Sequence, residues 1–156
     1  MSESQGLERV SSSEGSPVWY RWPDPDRSLQ HAMLTRLGGA SRGAFEALNL
    51  GGTVGDDPRA VAANHRRVFH SLGIEPDRVV SPHQVHGSGV ARVDGSDGGE
   101  VIPETDALIT DEPGLALLLR FADCVPVLFY DAEHRAVGLA HAGWRGVVAG
   151  VVGASV

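Results

Sequence analysis

The sequence predicts an α/β fold with most of its sheet in the second half. Three observations carry this: one well-delimited amphipathic helix, a series of short β-rich runs punctuated by Gly, Pro and Asp, and two runs that are apolar on both faces. Residues 1–28 combine Ser, Glu, Gly and Pro with Trp19, Tyr20 and Trp22. They are expected to form a flexible N-terminal segment, a polar, acidic disordered tail leading into an extended stretch that docks. Residues 29–36 read as a strand stopped by Gly38-Gly39, and residues 40–55 as an ordered glycine-rich loop. Asp56-Asp57-Pro58 supplies N-cap candidates and a first-turn proline. Val61, Val68, Phe69 and Leu72 then recur at helical spacing up to Gly73, which predicts a helix over 59–72. Strands are expected at 78–85, 89–93, 107–110, 115–121, 125–130 and 136–140, with the runs at 115–119 and 125–130 as central strands covered on both sides. A last helix starts at Trp144, carrying the apolar stripe Val147, Val148, Val151 and Val152. Residues 29–156 are expected to make one domain.

Composition narrows the function classes. The 156 residues are 42% hydrophobic and 21% charged, and no apolar run approaches the roughly 20 residues of a membrane-spanning helix. Net charge is −7, and the thirteen basic residues are scattered arginines without a basic run, so no phosphate-backbone footprint for nucleic acid is visible. Single arginines can still clamp a small anion bidentately. The N-terminus lacks the basic start and apolar core of a secretory signal, so a cytoplasmic location is expected. The single cysteine excludes an internal disulfide and leaves three roles open: packing, metal ligation or nucleophilic attack.

Three segments place a reactive residue at the end of an apolar run: Ser81-Pro-His-Gln-Val-His86-Gly, Arg120-Phe-Ala-Asp-Cys124-Val-Pro, and Gly138-Leu-Ala-His141-Ala-Gly-Trp-Arg-Gly. Strand ends are where ligand groups gather in α/β folds, so His86, Cys124 and His141 are candidates for one site. Two imidazoles and a thiolate match the ligand preference of zinc and leave a fourth position open. Without metal the same residues make a Cys-His pair for acyl chemistry. Taken singly, each has an ordinary structural role, and the spacing is no tight metal signature. Asp123 is either an orienting carboxylate or a local cap. Arg36 and Arg145 are candidate anion contacts or salt-bridge residues, and Asn49 a turn former or polar ligand contact.

Seven stretches occur in order: Thr35-Arg-Leu-Gly-Gly-Ala-Ser, Leu48-Asn-Leu-Gly, Val54-Gly-Asp-Asp-Pro, Gln84-Val-His-Gly, Thr105-Asp-Ala-Leu-Ile-Thr, Ala122-Asp-Cys-Val-Pro-Val-Leu and His141-Ala-Gly-Trp-Arg-Gly. Together they resemble the laccase-like multicopper polyphenol oxidase family, the YfiH-type proteins that include purine nucleoside phosphorylases. The resemblance implies an α/β fold, a mixed β-sheet sandwich with flanking helices. It also implies a zinc site at His86, Cys124 and His141, with catalysis by the same residues, and phosphorolysis of adenosine and inosine, with related action on methylthioadenosine and deamination of adenosine. A purine nucleoside and phosphate are the implied partners, with Arg36, Asn49 and Arg145 as substrate contacts. Family members continue beyond the Trp-Arg-Gly motif, which predicts that the C-terminal part of the domain is missing here.

Copper oxygen chemistry fits these residues poorly, because it requires many closely spaced histidines and the chain has seven in all, none as His-X-His. The deaminase-type His-X-Glu and Pro-Cys-X-X-Cys signature is also absent. Two other functions compete with phosphorolysis: a Cys-His amidase that edits peptidoglycan precursors, and an inactive truncated remnant acting as an interaction module through its valine stripe.

Overall fold

The computed structural model describes residues 6–23 and 29–156, and the chain divides into two compact units, Met1–Gly73 and Ile74–Val156. Among the described residues no helix is long and apolar enough to cross a membrane. Of the expected flexible segment, residues 1–5 and 24–28 lie outside the described residues; within 6–23 the chain forms strands.

In the first unit, β1 (Glu8–Val10), β2 (Trp19–Arg21) and β3 (Met33–Leu34) pair antiparallel in that order. The strand expected at 29–36 is therefore only two residues long. Helix α1 (Pro58–Leu72) forms where its sequence signals place it. The Asp57 carboxylate accepts from Arg59 N at 2.9 Å, Pro58 opens the first turn, and Gly73 closes the helix at φ 66°. The face it buries carries Val61, Val68 and the fully buried Asn64. That amide orders the glycine-rich loop: Oδ1 accepts from Ala40 N at 2.6 Å, while Nδ2 donates to Ser41 Oγ and to the carbonyls of Ala47 and Asn49. Asp56 completes the network by accepting from Ser41 Oγ at 2.6 Å and Asn49 Nδ2 at 2.9 Å.

The second unit contains β4 (Val79–Pro82), β5 (Val90–Arg92), β6 (Val101–Ile102), β7 (Ala107–Thr110), β8 (Ala116–Leu117), β9 (Val125–Asp131), β10 (Ala136–Ala142), α2 (Trp144–Val148) and α3 (Val151–Ala154). Strands β5-β7-β10-β9 form a mixed sheet, parallel at β5/β7 and antiparallel elsewhere, and β6-β4-β8 form a parallel one. The two-residue period of β7 and β10 sorts their side chains. Leu108 on β7 joins Val80, Val93, Leu115 and Leu119 in one apolar cluster, with Ile102, Leu117 and Leu139 against it, and so fills the space between the sheets. Ala107 and Ala140 point the other way and, with Ala142, receive Val151 of α3. The result is the α/β sheet sandwich with flanking helix that the motifs imply.

Two expectations change. The apolar runs at 115–119 and 125–130 were expected as central strands, but β8 and β9 lie at sheet edges, and Val125 is 60% exposed. The central strands of the second unit are β4, β7 and β10. On β9 one face, carrying Val127 and Phe129, packs with the α3-side cluster, a demand independent of position in the sheet. The last helix is also two helices. Gly150 sits at φ 85° between them, and of the valine stripe only Val151 is buried.

Leu108→Ala removes a fully buried side chain from between the sheets and should lower stability by about 2–5 kcal/mol, read as a fall in denaturant midpoint at constant slope. Hydrogen bonds from Ser41 and then Asn49 hold the Asp56 carboxyl below its ordinary 3.8. Its contribution is therefore complete above that value and is lost as pH falls through the lower folded-state pKa. Stability measured against pH should decline more shallowly in this acid range for Asp56→Asn than for the parent.

Candidate metal centre

Strand register brings the site together. Ala140 of β10 is opposite Ala107 of β7, so His141 follows opposite Asp106, and its N–H donates to the Asp106 carbonyl at 2.7 Å. On the other side Ala142 is opposite Val125, so the next pair is Gly143 and Cys124. Opposed residues share a face, as do residues two apart along a strand. Asp106, His141 and Cys124 therefore emerge on the face that carries Leu108 and Leu139, at the end of the inter-sheet core.

His86 arrives from the loop between β4 and β5 with φ 61°, a left-handed conformation uncommon for residues other than glycine. The fully buried Asp106 holds that loop. Its Oδ1 accepts from His86 N at 2.9 Å and its Oδ2 from Val85 N at 3.1 Å and Gly87 N at 2.7 Å. Oδ1 also meets His141 Nδ1 at 2.8 Å. Burial works to raise the Asp106 pKa, but the bonds from His141 and the three backbone N–H groups outweigh it and leave the carboxyl below its ordinary value.

His86, Cys124 and His141 each offer one ligand atom, and these atoms lie within 4.8 Å of one another. The imidazoles of His86 and His141 meet edge to face with centroids 4.7 Å apart, and Phe121 covers His141 at 5.6 Å. His141 is buried, Cys124 half-buried and His86 exposed, so the cluster opens to solvent on one side. Burial, then the charges of Asp123 and Asp106, push the Cys124 thiol above its ordinary 9.0. A cation reverses that balance, because thiolate is the ligating form. Two imidazoles and one thiol in mutual reach, with room left beside them, fit a borderline-soft divalent ion.

That room depends on glycine. A Cβ at Gly143 would lie 3.1 Å from both Cys124 Sγ and His86 Cδ2, and one at Gly146 would lie 2.7 Å from the Gly87 carbonyl oxygen. Gly143 leaves space beside the ligand atoms, and Gly146 lets α2 approach the His86 loop. Gln84 ties that loop to the cysteine segment: its Nε2 donates to the Arg120 carbonyl at 2.8 Å and its Oε1 accepts from Arg120 N at 2.9 Å.

The remaining expected site residues have other local surroundings. Arg145 is exposed, its guanidinium 5.5 Å from the centroid of the Trp144 ring. Arg36, in the first unit, donates through Nε and Nη2 to the Glu46 carbonyl. Asn49 bonds Gly51 and Asp56 within its own loop. Asp123 accepts a weak bond from the Cys124 thiol at 3.8 Å. Sequence reasoning missed Asp106, Gln84 and the two glycines as site residues. The available signal was the placement of Asp106 directly before an apolar strand, where a charged residue needs buried partners.

Gly143→Ala should leave the unfolding midpoint within a few degrees of the parent and weaken divalent-metal binding at least about tenfold by titration calorimetry, because the new methyl crowds two ligands. Unchanged affinity would show that the glycine does not shape the centre.

Residues 30–156 match the family model described as multi-copper polyphenol oxidoreductase laccase. A purine nucleoside phosphorylase of Streptomyces coelicolor is 53% identical over 121 residues, covering 78% of this chain and 50% of the relative, and one of Streptomyces griseus is 51% identical over 140 residues, covering 89% and 57%. The crystal structure of YlmD from Geobacillus stearothermophilus superposes with TM-score 0.84 at 39% identity, over 94% of this chain and 57% of that one. YfiH of Bacillus licheniformis gives 0.82 at 32% identity, over 92% and 55%. The chain spans about half the length of the curated relatives it matches. On these matches and on its fold, the chain belongs to the multi-copper polyphenol oxidoreductase laccase family, in its YfiH-like branch.

Proposed function

We propose that this chain carries the metal centre of a zinc-dependent purine nucleoside phosphorylase acting on adenosine and inosine, with methylthioadenosine phosphorolysis and adenosine deamination as related activities. The observation that carries the reading is the His86, Cys124 and His141 cluster, in a chain whose close relatives bear the purine nucleoside phosphorylase name. One buried imidazole, one exposed imidazole and one half-buried thiol favour zinc over a copper oxidase centre, which needs more histidines than this cluster supplies.

In phosphorolysis a phosphate oxygen attacks the ribose anomeric carbon as the bond to the purine nitrogen breaks, and the purine leaves with a proton. Zinc, when bound, supplies Lewis acidity at the cluster. His141 is the fixed member, buried and held at Nδ1 by Asp106, while the exposed His86 faces the solvent side from which substrate arrives. The proposed catalytic residues are His86, Cys124 and His141. Arg36, Asn49 and Arg145 are the proposed substrate contacts, with the exposed guanidinium of Arg145 assigned to phosphate. The second imidazole beside the thiol completes a three-ligand metal set where a Cys-His nucleophile needs only one base, so phosphorolysis ranks above the amidase reading. The reaction is placed in the cytoplasm, where a lone thiol stays reduced.

Zinc-loaded chain, assayed beside a full-length relative, should release hypoxanthine from inosine only when phosphate is present. Cys124→Ala should lose both zinc and turnover. Arg145→Ala should raise the KM for phosphate more than it lowers kcat. A folded, zinc-loaded chain that never releases purine while the relative does would refute the activity for this polypeptide, and full zinc content in Cys124→Ala would refute the ligand assignment.

A further inference from the structure

We infer that Asp106 is the positioning residue of the metal centre: one buried carboxylate selects which nitrogen of His141 faces the cluster and sets the backbone that presents His86. The inference rests on side-chain geometry and is independent of the substrate proposed above.

The two Asp106 oxygens accept four hydrogen bonds in all. Oδ1 serves His86 N and His141 Nδ1, and Oδ2 serves Val85 N and Gly87 N. An ionised carboxylate has only acceptor sites, so the ring nitrogen facing it must carry the proton. His141 is thereby held as the Nδ1–H tautomer, with the Nε2 lone pair left for a metal. Burial enforces this choice, since Asp106 is 0% exposed and the His141 side chain 5% exposed, which shields both from bulk solvent. The same carboxylate gathers three consecutive N–H groups at residues 85–87, a convergence that offsets the positive φ of His86. Both histidine ligands therefore depend on one side chain, placed immediately before β7.

Asparagine in place of Asp106 separates positioning from bulk, because its shape is the same and one oxygen becomes a donor. In one orientation its amide hydrogens oppose Val85 N–H and Gly87 N–H. In the other they face His141 Nδ1, which must then accept, so the proton moves to Nε2 and the nitrogen presented to the cluster no longer ligates. Either orientation weakens the centre.

The test uses zinc alone as probe. Nitrogen-15 NMR of the metal-free parent chain at neutral pH should show His141 with the proton on Nδ1. Asp106→Asn should bind zinc about 10–100-fold more weakly than the parent, the range seen when a ligand's supporting carboxylate is lost. Parent His141 carrying its proton on Nε2 overturns the inference, as does a folded Asp106→Asn chain with parental zinc affinity. If Asp106→Asn does not fold, the tautomer of the parent decides alone. If the parent chain binds no zinc, the proposed phosphorylase fails at its metal, while the His141 tautomer still reports on Asp106.

Discussion

A carboxylate buried at the end of a sandwich core has to be surrounded by donors, and meeting that requirement at Asp106 organises the structure around it. Register supplies the first partner, because pairing β7 with β10 sets His141 directly opposite and brings its ring to the carboxylate. The other three come from the loop after β4, which must curl for its consecutive N–H groups to point at one residue. An unpaired charge at this depth would cost several kcal/mol, so loop, strand and histidine are mutually dependent. What resembles a metal site with a supporting carboxylate is equally a solution to burying that carboxylate.

Close approach is the second constraint. The cysteine segment reaches His141 through the β9/β10 hairpin, whose register sets Gly143 beside Cys124, and α2 then turns back over the His86 loop. Any side chain at 143 or 146 would occupy space that the thiol, an imidazole or the Gly87 carbonyl already holds. The glycines in the His141-Ala-Gly-Trp-Arg-Gly stretch are thus explained by distances, and Gln84 closes the remaining side by pairing with both backbone groups of Arg120.

Much of this was legible from the residues. Asp57, Pro58 and Gly73 mark α1 because capping and the φ limits of proline and glycine act locally. His86, Cys124 and His141 stood out because each closes an apolar run, and the cluster does assemble. Sheet order was not legible: β8 and β9 have the composition of central strands and lie at edges, since composition records which faces are packed and pairing is decided by distant segments. The break at Gly150 was passed over because helical periodicity continues through it. Asp106 escaped notice because its partners, one imidazole and three backbone N–H groups, lie 19 to 35 residues away and backbone donors leave no trace in a sequence.

Register and one buried carboxylate bring two imidazoles and a thiol into mutual reach, and the proposal is that they share one ion. X-ray absorption at the metal edge of the zinc-loaded chain tests it directly. The inner shell should hold one sulfur at about 2.3 Å and two imidazole nitrogens at about 2.0–2.1 Å. An inner shell without sulfur, or with a single imidazole, would contradict it.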